Sequence, residues 1–158
     1  MGDLALTLKL IHLLGAAVLF GTGLGIAFFM LMAHRSRDPA TIAATARMVV
    51  IADALFTATA VVVQPLSGAA LAWTTGFSLW ASWIVASLVL YVLVGLCWLP
   101  VVWIQLRLRD LAAKAAQTGA ALPADYFRLY RIWFALGWPA FAGVIAIFAL
   151  MTWKPVLW

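Results

Sequence analysis

A chain of 158 residues that is 67% hydrophobic, 9% charged and has a mean hydropathy of +1.11 is too apolar to remain dissolved in water. Its apolar runs are continuous and rich in Ala, Leu and Gly, which excludes membrane β-strands, whose residues alternate apolar and polar over about 10 positions. The net charge of +5 and pI near 10.0 do not indicate nucleic acid, because the basic residues cluster beside those runs, where lipid headgroups would meet them.

The first apolar run covers residues 4–32. A hydrocarbon core of about 30 Å needs about 20 apolar residues in a helix, so this run spans. It lacks a basic leader and exceeds a signal-peptide core, so it is expected to stay in the mature protein. Gly21 and Gly25 form a GxxxG spacing that allows close helix approach. Residues 34–41 make the first connection, with Asp38-Pro39 as a helix start. A second run covers 48–73, a short uncharged turn covers 74–78, and a third run covers 79–105. The Ala-rich connection 108–125 continues helix three or lies in the interface until Gly119 and Pro123 break it, and a fourth run covers 132–152.

Short connections make helices two and three antiparallel neighbours. The expected fold is all-α: an integral membrane four-helix up-down-up-down bundle, one domain over residues 1–158. Arg35, Arg37, Arg47, Arg107, Arg109, Lys114, Arg128 and Arg131 lie in or beside the connections joining helices one to two and three to four. The positive-inside rule puts those connections in the cytoplasm and both termini outside. The nine tryptophans fall near the membrane boundaries as an aromatic belt, with Trp98 and Trp138 set apart by the prolines that follow them.

Polar groups within the spans are costly and therefore informative. An aspartate at the centre of a membrane helix costs about 2.5–3.5 kcal/mol on insertion scales. Asp53 lies on a polar or small stripe with Thr57, Ala60, Gln64 and Ser67, which marks an inward face. A facing line on helix three carries Ser87, Tyr91, Gly95, Trp98, Val102 and Gln105. Two roles stand for Asp53: a buried lock paired with Arg131 or Arg47, or hydrogen-bonded by Tyr91 or Trp98; or a proton or cation relay. The second clue is His12 near the outer end of helix one. Lys9, His12, Gln64 and Lys154 share that leaflet and are read as one outer pocket, suited to a haem with His12 on iron and the lysines on propionates, or to a quinone headgroup. His34 lies 22 residues along the same helix, about 33 Å away, so both histidines cannot ligate one haem. Cys97 is alone, and thiolate metal clusters, paired carboxylates, GxSxG, Walker and HExxH patterns are all absent.

Taken together, Lys9-Leu10-Ile11-His12, Gly21-Thr22-Gly23-Leu24-Gly25, Ile51-Ala52-Asp53, Gln64-Pro65-Leu66-Ser67-Gly68, Cys97-Trp98-Leu99-Pro100, Gly137-Trp138-Pro139 and Lys154-Pro155 resemble a bacterial family of integral membrane proteins, number 2269 among the domains of unknown function. That resemblance covers nearly the whole chain and implies the bacterial inner membrane but no activity. More distantly, Lys9-x-x-His12 and Lys154-Pro155 are similar to the ends of HemJ-type and CopD-type membrane proteins. The HemJ likeness implies haem b with His12 as axial ligand, although residues 82–105 contain no histidine or lysine. Three functional readings follow: a haem b or quinone redox protein around His12; proton-coupled transport centred on Asp53; and a non-enzymatic assembly subunit, homo-oligomeric or joined to a membrane partner. Membrane lipids are the expected surroundings in all three.

Overall fold

The computed structural model describes residues 2–158 and contains helices and connections only, with no strand among the described residues. The helices are α1 (Gly2–Ser36), α2 (Pro39–Ala52), α3 (Ala58–Thr75), α4 (Ser82–Thr118) and α5 (Ala124–Trp153). A π-helical turn, Asp53–Thr57, joins α2 to α3 without a break, so Pro39–Thr75 forms one rod. Four rods are therefore long and apolar enough to cross a membrane.

Local chemistry explains the boundaries. Asp38 caps α2: its carboxylate accepts from the Thr41 amide at 2.8 Å, the Ala40 amide at 3.4 Å and the Thr41 hydroxyl at 2.6 Å. Pro39 occupies the first turn, where its missing N–H costs nothing. Gly76 (φ 75°) and Gly119 (φ 65°) end α3 and α4 in the left-handed conformation that a side chain disfavours. Pro65, Pro100 and Pro139 all lie within helices that run on past them.

The rods outrun the apolar windows. Helix two starts at Pro39, as Asp38-Pro39 signals, although its apolar run begins only at 48, and helix four starts at Ala124, after the break at Pro123, although its run begins at 132. Helix three starts at Ser82 and carries the Ala-rich segment as helix to Thr118. The added turns are held by packing rather than by lipid. Met30, Ile42, Leu108 and Tyr126 are the largest fully buried side chains, with Ala33, Ala46, Ala112, Leu129 and Trp133 beside them. The hydrophobic core thus lies at the end of the bundle that bears the arginine connections.

The opposite half is looser. α4 packs along α5, α2 against α4, and α1 against α3, whereas α3 and α4 scarcely touch. Helices two and three are neighbours as expected only along their arginine-bearing halves. Six residues separate α3 from α4, enough for the two rods to part as they leave the core. Phe20 bridges α1 to α5 through an edge contact with Phe141 and a tilted one with Phe148, at ring separations of 5.8 and 5.6 Å. The chain end folds back on α4: the Ser82 hydroxyl donates to the Pro155 carbonyl at 3.3 Å and accepts from the Leu157 amide at 3.0 Å. Large apolar side chains cover the exterior, among them Leu88, Val92, Leu96 and Leu99. Gly21 of the GxxxG pair meets no other side chain within 4 Å of where a Cβ would stand.

The Asp38 cap generates a prediction. Hydrogen bonds from the Thr41 hydroxyl and amide hold its carboxyl below the usual carboxylate range. A depressed folded-state pKa contributes stability above the unfolded value of about 3.9 and loses it as pH falls through the folded value. Thermal unfolding in detergent should show Asp38→Ala less stable than the wild type at pH 7, with the gap closing below about pH 4. An equal gap at both pH values would contradict the cap.

Candidate functional site

Two polar clusters interrupt the apolar interior. The first joins α1 to α3. Ser67 Oγ lies 3.0 Å from His12 Nδ1, and Gln64 Nε2 lies 3.4 Å from His12 Nε2. The Ser67 hydroxyl also donates to the Gln64 carbonyl at 3.1 Å. One set of protons satisfies all three contacts: His12 Nδ1–H donates to Ser67, Ser67 donates to the Gln64 carbonyl, and the Gln64 amide donates to His12 Nε2. The result is a closed ring around a neutral imidazole, in which the Gln64 Oε1 alone is left buried without a partner. Close backbone approach makes it possible. A Cβ at Gly68 would stand 2.9 Å from His12 Cε1, and one at Gly15 would run into Gln64 Oε1.

The two lysines do not join this ring. The Lys154 ammonium lies 4.5 Å over the Phe77 ring and 5.7 Å from the Trp83 ring, a cation–π contact at the start of helix three. Lys154 ends α5 with a positive φ of 46°, which turns the chain there. Lys9 is exposed and forms no hydrogen bond or ion pair among the described residues. Of the expected outer pocket, only His12 and Gln64 come together, with Ser67 added. An axial role for His12 would require Nε2 to exchange the Gln64 amide for iron, and no group of three or more His, Cys, Asp or Glu residues suits a metal among the described residues.

The second cluster lies where α2 becomes α3. Asp53 is 5% exposed, and its Oδ1 accepts from the Trp98 indole Nε1 at 3.2 Å. Its Oδ2 makes no hydrogen bond of full geometry, and the buried Thr57 hydroxyl one turn on, its neighbour, has no other partner. Gln105 is 2% exposed, and its Oε1 is likewise unpartnered. Asp53, Trp98 and Gln105 line a cavity of about 270 Å³, with Val50, Ala54, Ala58, Val102 and Leu106 as its remaining walls. The π turn shapes this region, since π-helical turns widen the backbone and recur at functional sites.

The alternative partners of Asp53 lie elsewhere. Arg47 and Arg131 are exposed, and the ion pairs of the described residues are Arg109–Asp110 and Arg128–Asp125. A charged lock is therefore replaced by a single indole hydrogen bond. The Tyr91 hydroxyl donates to the Val61 carbonyl, bridging α4 to α3. The stripe of Asp53, Thr57, Ala60 and Ser67 is buried throughout, with Gln64 half-buried.

One group escaped the sequence reading. His34 stacks on Tyr130 with ring centroids 3.6 Å apart and planes inclined by 6°, and its Nδ1 lies 3.3 Å from the Tyr126 hydroxyl. Tyr126, Tyr130, Phe134 and Trp138 recur every four residues and touch in series along α5. That spacing was the available signal.

The family model described as predicted integral membrane protein (DUF2269) matches residues 6–155. The chain belongs to that family. No curated protein and no solved structure matches this DUF2269 chain. The matches do not extend to HemJ-type or CopD-type proteins. What the DUF2269 assignment adds is a multi-pass membrane setting for both polar clusters, without an activity.

The His12 ring predicts a coupled pair of effects. Gly15→Ala should push the Gln64 amide off His12 and lower stability in detergent by about 0.5–1.5 kcal/mol, the worth of one hydrogen bond. In a Gln64→Ala background the same change should cost little. A double-mutant cycle that returned simple additivity would contradict the contact.

Proposed function

We propose that this protein is a proton-coupled transporter of the bacterial inner membrane that works through Asp53, with its basic connections in the cytoplasm and both termini outside. The observation that carries this reading is the Asp53 carboxyl: 5% exposed, bonded through one oxygen only, and bordering a cavity. It lies six residues past Arg47, about 9 Å further along the rod and within the apolar run. A charge at that depth is costly unless something neutralises it. One indole N–H spreads the charge without neutralising it. A bound proton or a cation removes the cost, and alternation between such states is the elementary act of a coupled carrier.

The remaining polar groups supply a route. Thr57, Gln64 and Ser67 follow Asp53 on one face at about 6, 16 and 21 Å along the helix and lead to His12. They line the half of the bundle in which α3 and α4 stand apart. The other half is closed by Met30, Ile42, Leu108 and Tyr126, all fully buried. Asp53 thus stands between a closely packed end and a looser one, an asymmetry that suits alternating access. The redox reading around His12 draws less support, because both imidazole nitrogens already have partners and Lys154 is engaged with aromatic rings.

Proteoliposomes with a trapped pH indicator, diluted in turn into sodium, potassium and a panel of organic solutes, test the proposal. At least one solute should drive proton flux through the wild-type protein, Asp53→Asn should fall to the protein-free level, and Arg47→Gln should stay near wild type. No solute-dependent proton flux above that of empty liposomes, or full flux in Asp53→Asn, would refute it.

A further inference from the structure

Given the proposal that Asp53 is a working group, we infer that its cavity takes a compact organic cation, an amine or quaternary ammonium with apolar substituents, entering from the bilayer. The unsatisfied atoms set the sign of the ligand. Asp53 Oδ2 and Gln105 Oε1 are both acceptors on side chains more than nine-tenths buried, and both residues line the cavity. No cationic side chain lines it, and Asp53 is its only titratable group. An anion would find nothing to neutralise it there.

The walls set the rest. An inorganic cation needs several oxygen ligands, 6–8 in the case of calcium. Here one carboxylate and one amide stand among Val50, Ala54, Val102 and Leu106, a surface suited to hydrocarbon. The Trp98 indole also lines the cavity, and indole is the ring that attracts quaternary ammonium groups best. A volume of about 270 Å³ falls just below the range of roughly 300–1,000 Å³ typical of drug-sized ligands, so the occupant is small. Ala54 borders the cavity and is itself exposed at membrane depth, which puts the mouth against lipid rather than water. Charge balances in either state: the carboxylate pairs with the cation, or takes a proton when the cation leaves.

Equilibrium dialysis of the purified chain in mild detergent tests this, with radiolabelled benzyltrimethylammonium as the probe. Binding should saturate and be displaced by the unlabelled cation, but not by its uncharged carbon isostere neopentylbenzene or by benzenesulfonate. Asp53→Asn should weaken it at least about tenfold. Ala54→Leu, which narrows the mouth and leaves every polar group in place, should weaken it as well and serves if Asp53→Asn does not fold. Equal displacement by neopentylbenzene or benzenesulfonate, or undiminished binding in a folded Asp53→Asn or Ala54→Leu protein, overturns the inference. The two proposals fail separately. Asp53-dependent proton flux without cation binding removes the ligand class alone, whereas Asp53-dependent cation binding without proton flux removes the coupling alone.

Discussion

Hydrocarbon offers no hydrogen bonds, and that single property of the solvent organises this molecule. Backbone groups must pair within their own segment, so each crossing is a helix. Side-chain polarity must be paired, neutralised or carried out to the headgroups. His12 is answered by Ser67 and Gln64, which close a ring in which each hydrogen bond has both partners. Tyr91 is answered by a backbone carbonyl. Asp53 is answered only in part, and an incomplete answer in such a solvent is where chemistry is to be sought.

Packing divides the bundle unequally. Without a hydrophobic drive between helices, association in a membrane depends on close fit and small residues. Ala33, Ala46 and Ala112 provide that fit at the arginine-bearing end, where the rods also continue beyond the apolar windows. Elsewhere a few specific contacts suffice: Phe20 with two phenylalanines, Gly143 close against Val94, and the chain end held by Ser82. One end is therefore closely packed, while the other is held by a few separate contacts.

The four crossings could be read from the chain because lipid selects long apolar runs, and such runs are hard to mistake. Hydropathy alone did not reach their ends, which Asp38-Pro39, Gly119 and Pro123 marked instead. Hydropathy registers contact with lipid, while Leu108, Ala112 and Tyr126 are buried against other helices past the lipid boundary. The Asp53–Trp98 contact was legible because the inward lines of helices two and three carry both residues, with Trp98 one of two donors open to the carboxyl. Lys154 was misplaced for a related reason: leaflet fixes depth but not direction around the bundle, and Phe77 and Trp83 claim its ammonium first. The π turn left no trace in composition, since Asp53-Ala54-Leu55-Phe56-Thr57 contains neither glycine nor proline.

That turn has a further bearing on the architecture. It holds about one more residue per turn than an α-helix, so each of its residues advances the rod by about 80° instead of about 100°. It falls where the rod changes partner: α2 leans on α4, whereas α3 leans on α1. Deleting any one of its five residues would restore ordinary winding with little change of phase, because four residues at about 100° turn the rod about as far as five at about 80°. Gln64 and Ser67 would go on facing His12, while the widened backbone beside the carboxyl cavity would be lost.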